Sequence, residues 1–386
     1  MKRETPILNS MYGICGSAQA RFCMPGHKGD TGFFCGDALK FDITELPGAD
    51  NLFAPESAIA ASQQLHADFI DAEAAFYTTG GSTAGVLAML WLFRGKKVIF
   101  PRGIHISAAN AIFLFGITPV YLDSPPSDYP SVVSVEAIKD ALKVHRDAAA
   151  VFIVYPNYFG LCCDIEAAAQ AAHRSGIPLL ADAAHAAHFV YSPLLPLAPS
   201  YSGADIWTES THKTLPAMNQ CACLCVGKES MIDKKEAKQA LSAFQTTSPS
   251  YLLLGSLDYA HAYMRDEGEQ ELFRIINLEK RYEETISSLP GFSCPEITGE
   301  ETADRDALKM AIDVTGTGHT GMSVKDMLAG QGVFVEAADM RNILLMLSVG
   351  NTSADLETLC EALMGIEKVR SSGIYFSPYS MPEATK

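Results

Sequence analysis

Between residues 57 and 227, short apolar runs of strand length alternate with segments of helical spacing, an order that few architectures accommodate. Residues 97–100, 118–122, 149–155, 177–181, 205–209 and the cysteine-bearing run 221–225 read as strands. Helical spacing covers 57–74, 105–115 and 165–173, and Val135, Ile138 and Leu142 mark one face of a further helix. Parallel neighbours need long crossovers between them, so the alternation predicts an α/β fold, a mostly parallel sheet wrapped by helices. Helical character returns over 251–287. From about 290 a smaller α+β unit is expected, with strands at 309–314, 333–336 and 343–348 and a closing helix carrying Leu356, Leu359, Leu363 and Ile366. The expected division is an N-terminal segment 1–50, a large domain 51–270 and a small α+β domain 271–386, with linker-like Gly, Thr and Asp at 298–306 and 315–321.

Open α/β sheets do their chemistry at strand ends. Lys213 stands in the polar run 210–216, just past the strand at 205–209. An amine there, flanked by His212 and hydroxyls, suits an imine to a carbonyl cofactor, although a turn lysine is the plain alternative. Asp182 lies 31 positions upstream (213 − 182) and closes the apolar run 177–181. A carboxylate ending a buried strand is costly unless it meets a cation or hydrogen-bond donors. A helix cap would satisfy it, and so would a protonated pyridine nitrogen. Pyridoxal phosphate needs both a lysine for its aldehyde and a carboxylate for that nitrogen. A third feature is the loop 78–85. There Gly80 and Gly81 let the backbone approach an anion, and Ser82 or Thr83 opens an apolar helix. Such a start is either a phosphate cradle or a simple capped turn. No Gly-Lys-Ser/Thr follows, so it is not a P-loop, and the glycine spacing is not that of a nicotinamide fingerprint.

Cradle, aspartate and lysine, in that order and each at a strand end, follow the order of fold-type I pyridoxal-phosphate enzymes. The chain resembles the ornithine/lysine/arginine decarboxylase family through 21–29, 42–48, 80–85, 182–189, 210–216, 246–251 and 344–352. The resemblance implies an aminotransferase-like fold with pyridoxal 5'-phosphate as cofactor. It implies that Lys213 carries the cofactor and that Asp182 pairs with its ring nitrogen. His105 would stack on the ring, where the residues alone suggest only a capping or surface histidine; Ala184 would press on the other face and His185 would lie near the ring hydroxyl. Gly81, Ser82, Thr83 and Ser210 would hold the phosphate, and His212 would contact phosphate or move a proton. Thr246 and Ser248 would reach the phosphate of a neighbouring subunit, which implies a homodimer with shared sites. His27 and Lys28 belong to a loop that the family places near the site, whereas His173 and His188 read as structural.

The implied reaction is loss of carbon dioxide from a basic amino acid (arginine, lysine or ornithine) to give the amine. An aminotransferase on this fold would grip the substrate carboxylate with an arginine late in the small domain. The stretch 344–348 has apolar residues there instead (Leu344, Leu345, Met346 and Leu347), and Arg341 falls a few positions early, which favours losing the carboxylate. Transamination, another pyridoxal-phosphate lyase reaction and a catalytically silent partner subunit are the alternatives. Larger family members continue into a further C-terminal domain, and a chain ending at residue 386 is expected to be a short form without it. Ala183, where many relatives carry glutamate, also points to altered side-chain recognition.

A formal net charge of −16 argues against nucleic acid or anionic membrane as partners and suits a cationic substrate. The first residues lack the apolar core of a signal peptide, and no run reaches the ~18 apolar residues of a membrane helix, so a cytoplasmic location is expected. The ten cysteines include no Cys-x-x-Cys pair. They read as reduced core residues rather than a metal site, with Cys221, Cys223 and Cys225 on one strand face.

Overall fold

The computed structural model describes residues 3–17, 21, 24, 25, 28, 36–122, 132–295 and 302–369. Along the chain come strands β1 (Ala72–Thr78), β2 (Lys97–Phe100), β3 (Thr118–Tyr121), β4 (Ala148–Val154), the two-residue β5 (Leu161–Cys162), β6 (Leu179–Asp182), β7 (Ile206–Glu209) and β8 (Ala222–Gly227). All but β5 form one sheet in the order β1-β8-β7-β6-β4-β2-β3. Only β8 runs against its neighbours β1 and β7, while the remaining pairings are parallel. The expected mostly parallel sheet is present.

Helices α1 (Pro6–Ser17), α2 (Ala58–Phe69), α3 (Gly81–Trp91), α4 (Ile106–Phe115), α5 (Val135–Val144), α6 (Ile165–Arg174), α7 (Thr211–Thr214) and α8 (Lys234–Ser242) accompany these strands. Their starts are written locally. Ser134 accepts a hydrogen bond from the Ala137 amide at α5, and Asp164 does the same for Ala167 at α6. Strand alternation splits the core in two. Ile99, Val151, Ile153, Trp207, Cys223 and Cys225 face one cluster, and Val98, Phe100, Phe152, Ile206, Leu224 and Val226 face the other.

The helix α9 (Tyr251–Ser288) runs through the expected boundary at 270. Asp258 on it accepts the amides of Ile7 and Leu8 at 3.0 and 3.1 Å, tying down the start of α1. Beyond it lie β9 (Asp304–Arg305), β10 (Lys309–Asp313), α10 (Gly321–Gly330), β11 (Ala337–Ala338), β12 (Asn342–Met346) and α11 (Ser353–Met364). β10, β12 and β11 make an antiparallel sheet, and β9 pairs with β5 of the larger unit.

Two expectations fail. Helical spacing over 57–74 predicts one helix, but α2 stops at Phe69 and β1 follows at once. The alanines of β1 favour helix locally; pairing along β8 from Ala72 to Thr78 overrides that preference. The strand expected at 333–336 is found as the short β11, at residues 337 and 338. Most of the 21–29 stretch, including His27, lies outside the described residues.

Candidate active site

The C-terminal ends of the parallel strands open onto a cavity of ≈ 590 Å³, a size that suits a small molecule. Asp182 ends β6, is buried and lines the cavity. Among the described residues its carboxylate's one hydrogen bond comes from the Ala184 amide, at a long 3.3 Å. Burial raises the Asp182 pKa, opposed by that amide and by the charges of Lys213 and His105. A carboxylate so placed calls for a cation.

Lys213 sits in α7, the single turn that follows β7, and lines the same cavity. Burial lowers its pKa, against the attraction of Asp182 and Glu336. Its Nζ is 3.2 Å from Nε2 of His185. His212 also lines the cavity, with Nδ1 2.9 Å from the Cys221 carbonyl. A carbonyl only accepts, so the proton is on Nδ1 and Nε2 keeps a lone pair. Burial holds the His212 pKa below its ordinary value.

His105 is the N-cap of α4, its Nδ1 accepting from the Ser107 amide, and the residue also lines the cavity. Ala184 and His185 line it as well. The cradle begins one residue earlier than expected, since α3 starts at Gly81 with Gly80 at its N-cap and no side-chain cap. Ser82 lines the cavity and receives a 2.8 Å hydrogen bond from the buried hydroxyl of Ser210. Gly81 and Thr83 flank Ser82 without lining the cavity themselves. The close approach of α3 to the sheet depends on Gly85, where a Cβ would stand 2.1 Å from Oγ1 of Thr208 on β7. Thr246 and Ser248 are not brought to this cavity; they are exposed between α8 and α9 and contact each other at 3.4 Å.

Sequence reasoning missed Tyr158, Asn219, Glu336 and Met346 on the cavity wall and Lys309 behind it. The Tyr158 hydroxyl donates to the Glu336 carboxylate across the mouth. A lysine opening the apolar strand 309–314 was the signal for Lys309; the others carry none without the fold. Of the histidines read as structural, His173 contacts Asp205 at 2.8 Å and His188 contacts Asp306 at 3.0 Å. In the core, His66, Cys223 and His261 bring potential ligand atoms within 4.8 Å of one another. The His66 and His261 rings are stacked at 3.6 Å and 6°, so their in-plane lone pairs run side by side rather than converging on one ion.

The Orn/Lys/Arg decarboxylase major-domain profile matches residues 5–307. The chain belongs to the ornithine/lysine/arginine decarboxylase family. It is 30% identical to an arginine decarboxylase of Halalkalibacterium halodurans over 97% of this chain and 79% of that protein. Identity to the arginine decarboxylase of Bacillus subtilis is 31%, over 96% of this chain and 79% of that protein. A lysine decarboxylase structure from Francisella novicida superposes with a TM-score of 0.81 at 18% identity, covering 94% of this chain and 60% of the other. The family makes this chain a pyridoxal-phosphate-dependent decarboxylase, and the residues fit that cofactor. A buried, under-satisfied Asp182, a lysine in the same cavity and an uncapped helix start with two hydroxyls are what its ring nitrogen, aldehyde and phosphate require.

Proposed function

We propose that the chain removes the carboxylate of arginine, with lysine and ornithine as the next substrates to test, using Lys213 and Asp182 as its central groups. The observation that carries this reading is that both side chains line one cavity and act electrostatically on each other. When bound, pyridoxal phosphate supplies a ring that accepts the electron pair left as the carboxylate departs.

The protein's share is positioning and proton handling. Burial favours a neutral Lys213 amine, the form that can attack an aldehyde. Asp182 would hold the ring nitrogen and keep it protonated. Ser82, Thr83 and Ser210, with the amides that begin α3 at Gly81, hold the phosphate at a helix N-terminus. His105 and Ala184, which both line the cavity, would bracket the ring. His212, with a free lone pair at Nε2, is able to accept and return a proton. At the mouth, Glu336 offers a carboxylate to a cationic side chain, and Tyr158 braces it. Where an aminotransferase would grip the carboxylate, this cavity presents Met346, while Arg341 is engaged with Asp313 at 3.4 Å.

Thr246 and Ser248, exposed and away from their own cavity, support completion of the site by a second copy in a homodimer. Every described cysteine is a free thiol, which supports a reducing cytoplasmic setting. No helix among the described residues is long and apolar enough to cross a membrane.

The test is release of carbon dioxide from carboxyl-labelled arginine, lysine and ornithine by the cofactor-loaded protein. Arginine turning over fastest, with the amine in equal amount, supports the proposal; keto acid in place of the amine rejects it. Lys213→Ala should leave no adduct that borohydride can reduce onto the protein.

A further inference from the structure

Two turns meet behind the cavity wall. His185 and His188 stand three residues apart in the turn after β6, and Asp306 and Lys309 stand three apart at the start of β10. They pair one to one. Lys309 Nζ lies 3.0 Å from His185 Nδ1, and Asp306 Oδ1 lies 3.0 Å from His188 Nε2. Lys309 is wholly buried, a rare state for a lysine. Its Nζ also contacts Met346 Sδ at 2.9 Å and lies 5.4 Å from the Tyr158 ring centre. Lys309 does not line the cavity, but His185, Met346 and Tyr158, which it touches, all do. The backbone makes room for it at Gly160. A Cβ there would stand 2.8 Å from Cβ and Cγ of Lys309, and the glycine's φ is +84°.

An ammonium has donors and no acceptor, so His185 Nδ1 must receive the hydrogen bond. The ring of a neutral His185 then carries its proton on Nε2, the nitrogen that faces Lys213. Burial keeps His185 neutral, with Lys309 and Lys213 adding to the effect and holding its pKa near about 2. Burial also lowers Lys309 to about 8, against the charges of Asp306 and Glu336, which leaves it mostly charged at neutral pH. With Nε2 as donor, Lys213 must offer a lone pair.

We propose that Lys309 is a positioning residue: by donating to Nδ1 of His185 it fixes the ring proton on Nε2, and so presents to Lys213 and the cavity a hydrogen-bond donor that favours the neutral amine. This rests on Lys213 being the attachment lysine, but its first test does not. In protein labelled with ¹⁵N-histidine and stripped of cofactor, the long-range ¹H–¹⁵N spectrum reports which nitrogen of each ring is protonated. The His185 signal, identified by its absence in His185→Asn, is expected to show protonated Nε2 and bare Nδ1. A proton on Nδ1 overturns the proposal, whatever any variant does.

The second test follows the absorbance titration of the cofactor–lysine link in cofactor-loaded Lys309→Met and Lys309→Arg, with melting temperature and cofactor content measured alongside. Lys309→Met should move the midpoint upward by about one pH unit, the size of a lost charge-assisted hydrogen bond. Lys309→Arg, which keeps a donor, should move it less. An unmoved midpoint in folded, loaded Lys309→Met overturns the proposal. If that variant does not fold, the spectrum of the unaltered protein still decides. Absence of a reducible adduct on Lys213 itself would instead count against the reading of the site.

Discussion

His188 Nε2 lies 3.0 Å from Asp306 Oδ1, and neither side chain has any exposure to solvent. Burial alone would raise the Asp306 pKa, yet the charge and hydrogen bond of His188 hold it below its ordinary value. Removing one partner strands the other in the core, so His188→Ala should cost about 3–5 kcal/mol of stability. Replacing both with apolar residues should cost less. Urea unfolding of the two variants checks the difference.

Asp182 is expected to matter for rate more than for folding. Asp182→Ala removes the buried carboxylate of the cavity and should lower kcat on the order of a hundredfold or more, as losing one preorganised electrostatic contact does. Melting temperature should stay near that of the unaltered protein, because the carboxylate is buried with one long hydrogen bond. Turnover and melting, measured on the same preparation, separate the two effects.

Glu336 offers a graded test of side-chain recognition. The residue is exposed at the mouth, so a pair with a cationic substrate is worth ~1 kcal/mol or less. Glu336→Gln should therefore raise KM for arginine by up to about fivefold, the equivalent of that energy, and leave kcat nearly unchanged. Steady-state kinetics with arginine, and with an uncharged amino acid of similar length as control, read the change directly.

Acid should destabilise the protein well before its carboxylates titrate. His66 is buried, and desolvation, aided by the charge of Arg265, brings its pKa down to about 3 from 6.5. The unfolded chain takes up that proton near pH 6.5 while the folded chain does not, so the full stability is present above 6.5 and is lost as pH falls toward 3. The expected slope from this one residue is about 1.4 kcal/mol per pH unit. His66→Phe, which keeps a ring against His261, should flatten the loss between pH 6 and 4; urea midpoints across that range show it.

Gly85→Ala should disturb fold and site together. The added methyl group meets Thr208 and forces α3 away from β7, at a cost of about 1–3 kcal/mol for overpacking. Since α3 carries Ser82, cofactor affinity should fall as well, which equilibrium dialysis of the variant would reveal.

The parts of this arrangement that were readable in sequence are those that a few consecutive residues encode. Lys213 past β7, Asp182 at the end of β6 and the glycines at the start of α3 all lie in short runs whose strand-then-turn pattern places them at a sheet edge. His105 was legible as a cap from its neighbours and as a cavity residue only through family resemblance. β1 was misread because Ala72, Ala74 and Ala75 prefer a helix, and its strand state depends on β8, some 150 residues later. Glu336, Tyr158 and Lys309 come from the far end of the chain or from a loop after β4. Their meeting is set by the docking of the smaller sheet, which no local pattern records.

The one antiparallel strand of the main sheet gives Lys213 an unusual anchorage. Because β7 leads out to the lysine and β8 brings the chain straight back beside it, with Glu209 opposite Cys223, the segment between them is fastened to the sheet at both ends. A side chain carried on such a short, doubly moored span has little room to wander. Were the cofactor held there, the lysine nitrogen would stay within the cavity rather than drift from it.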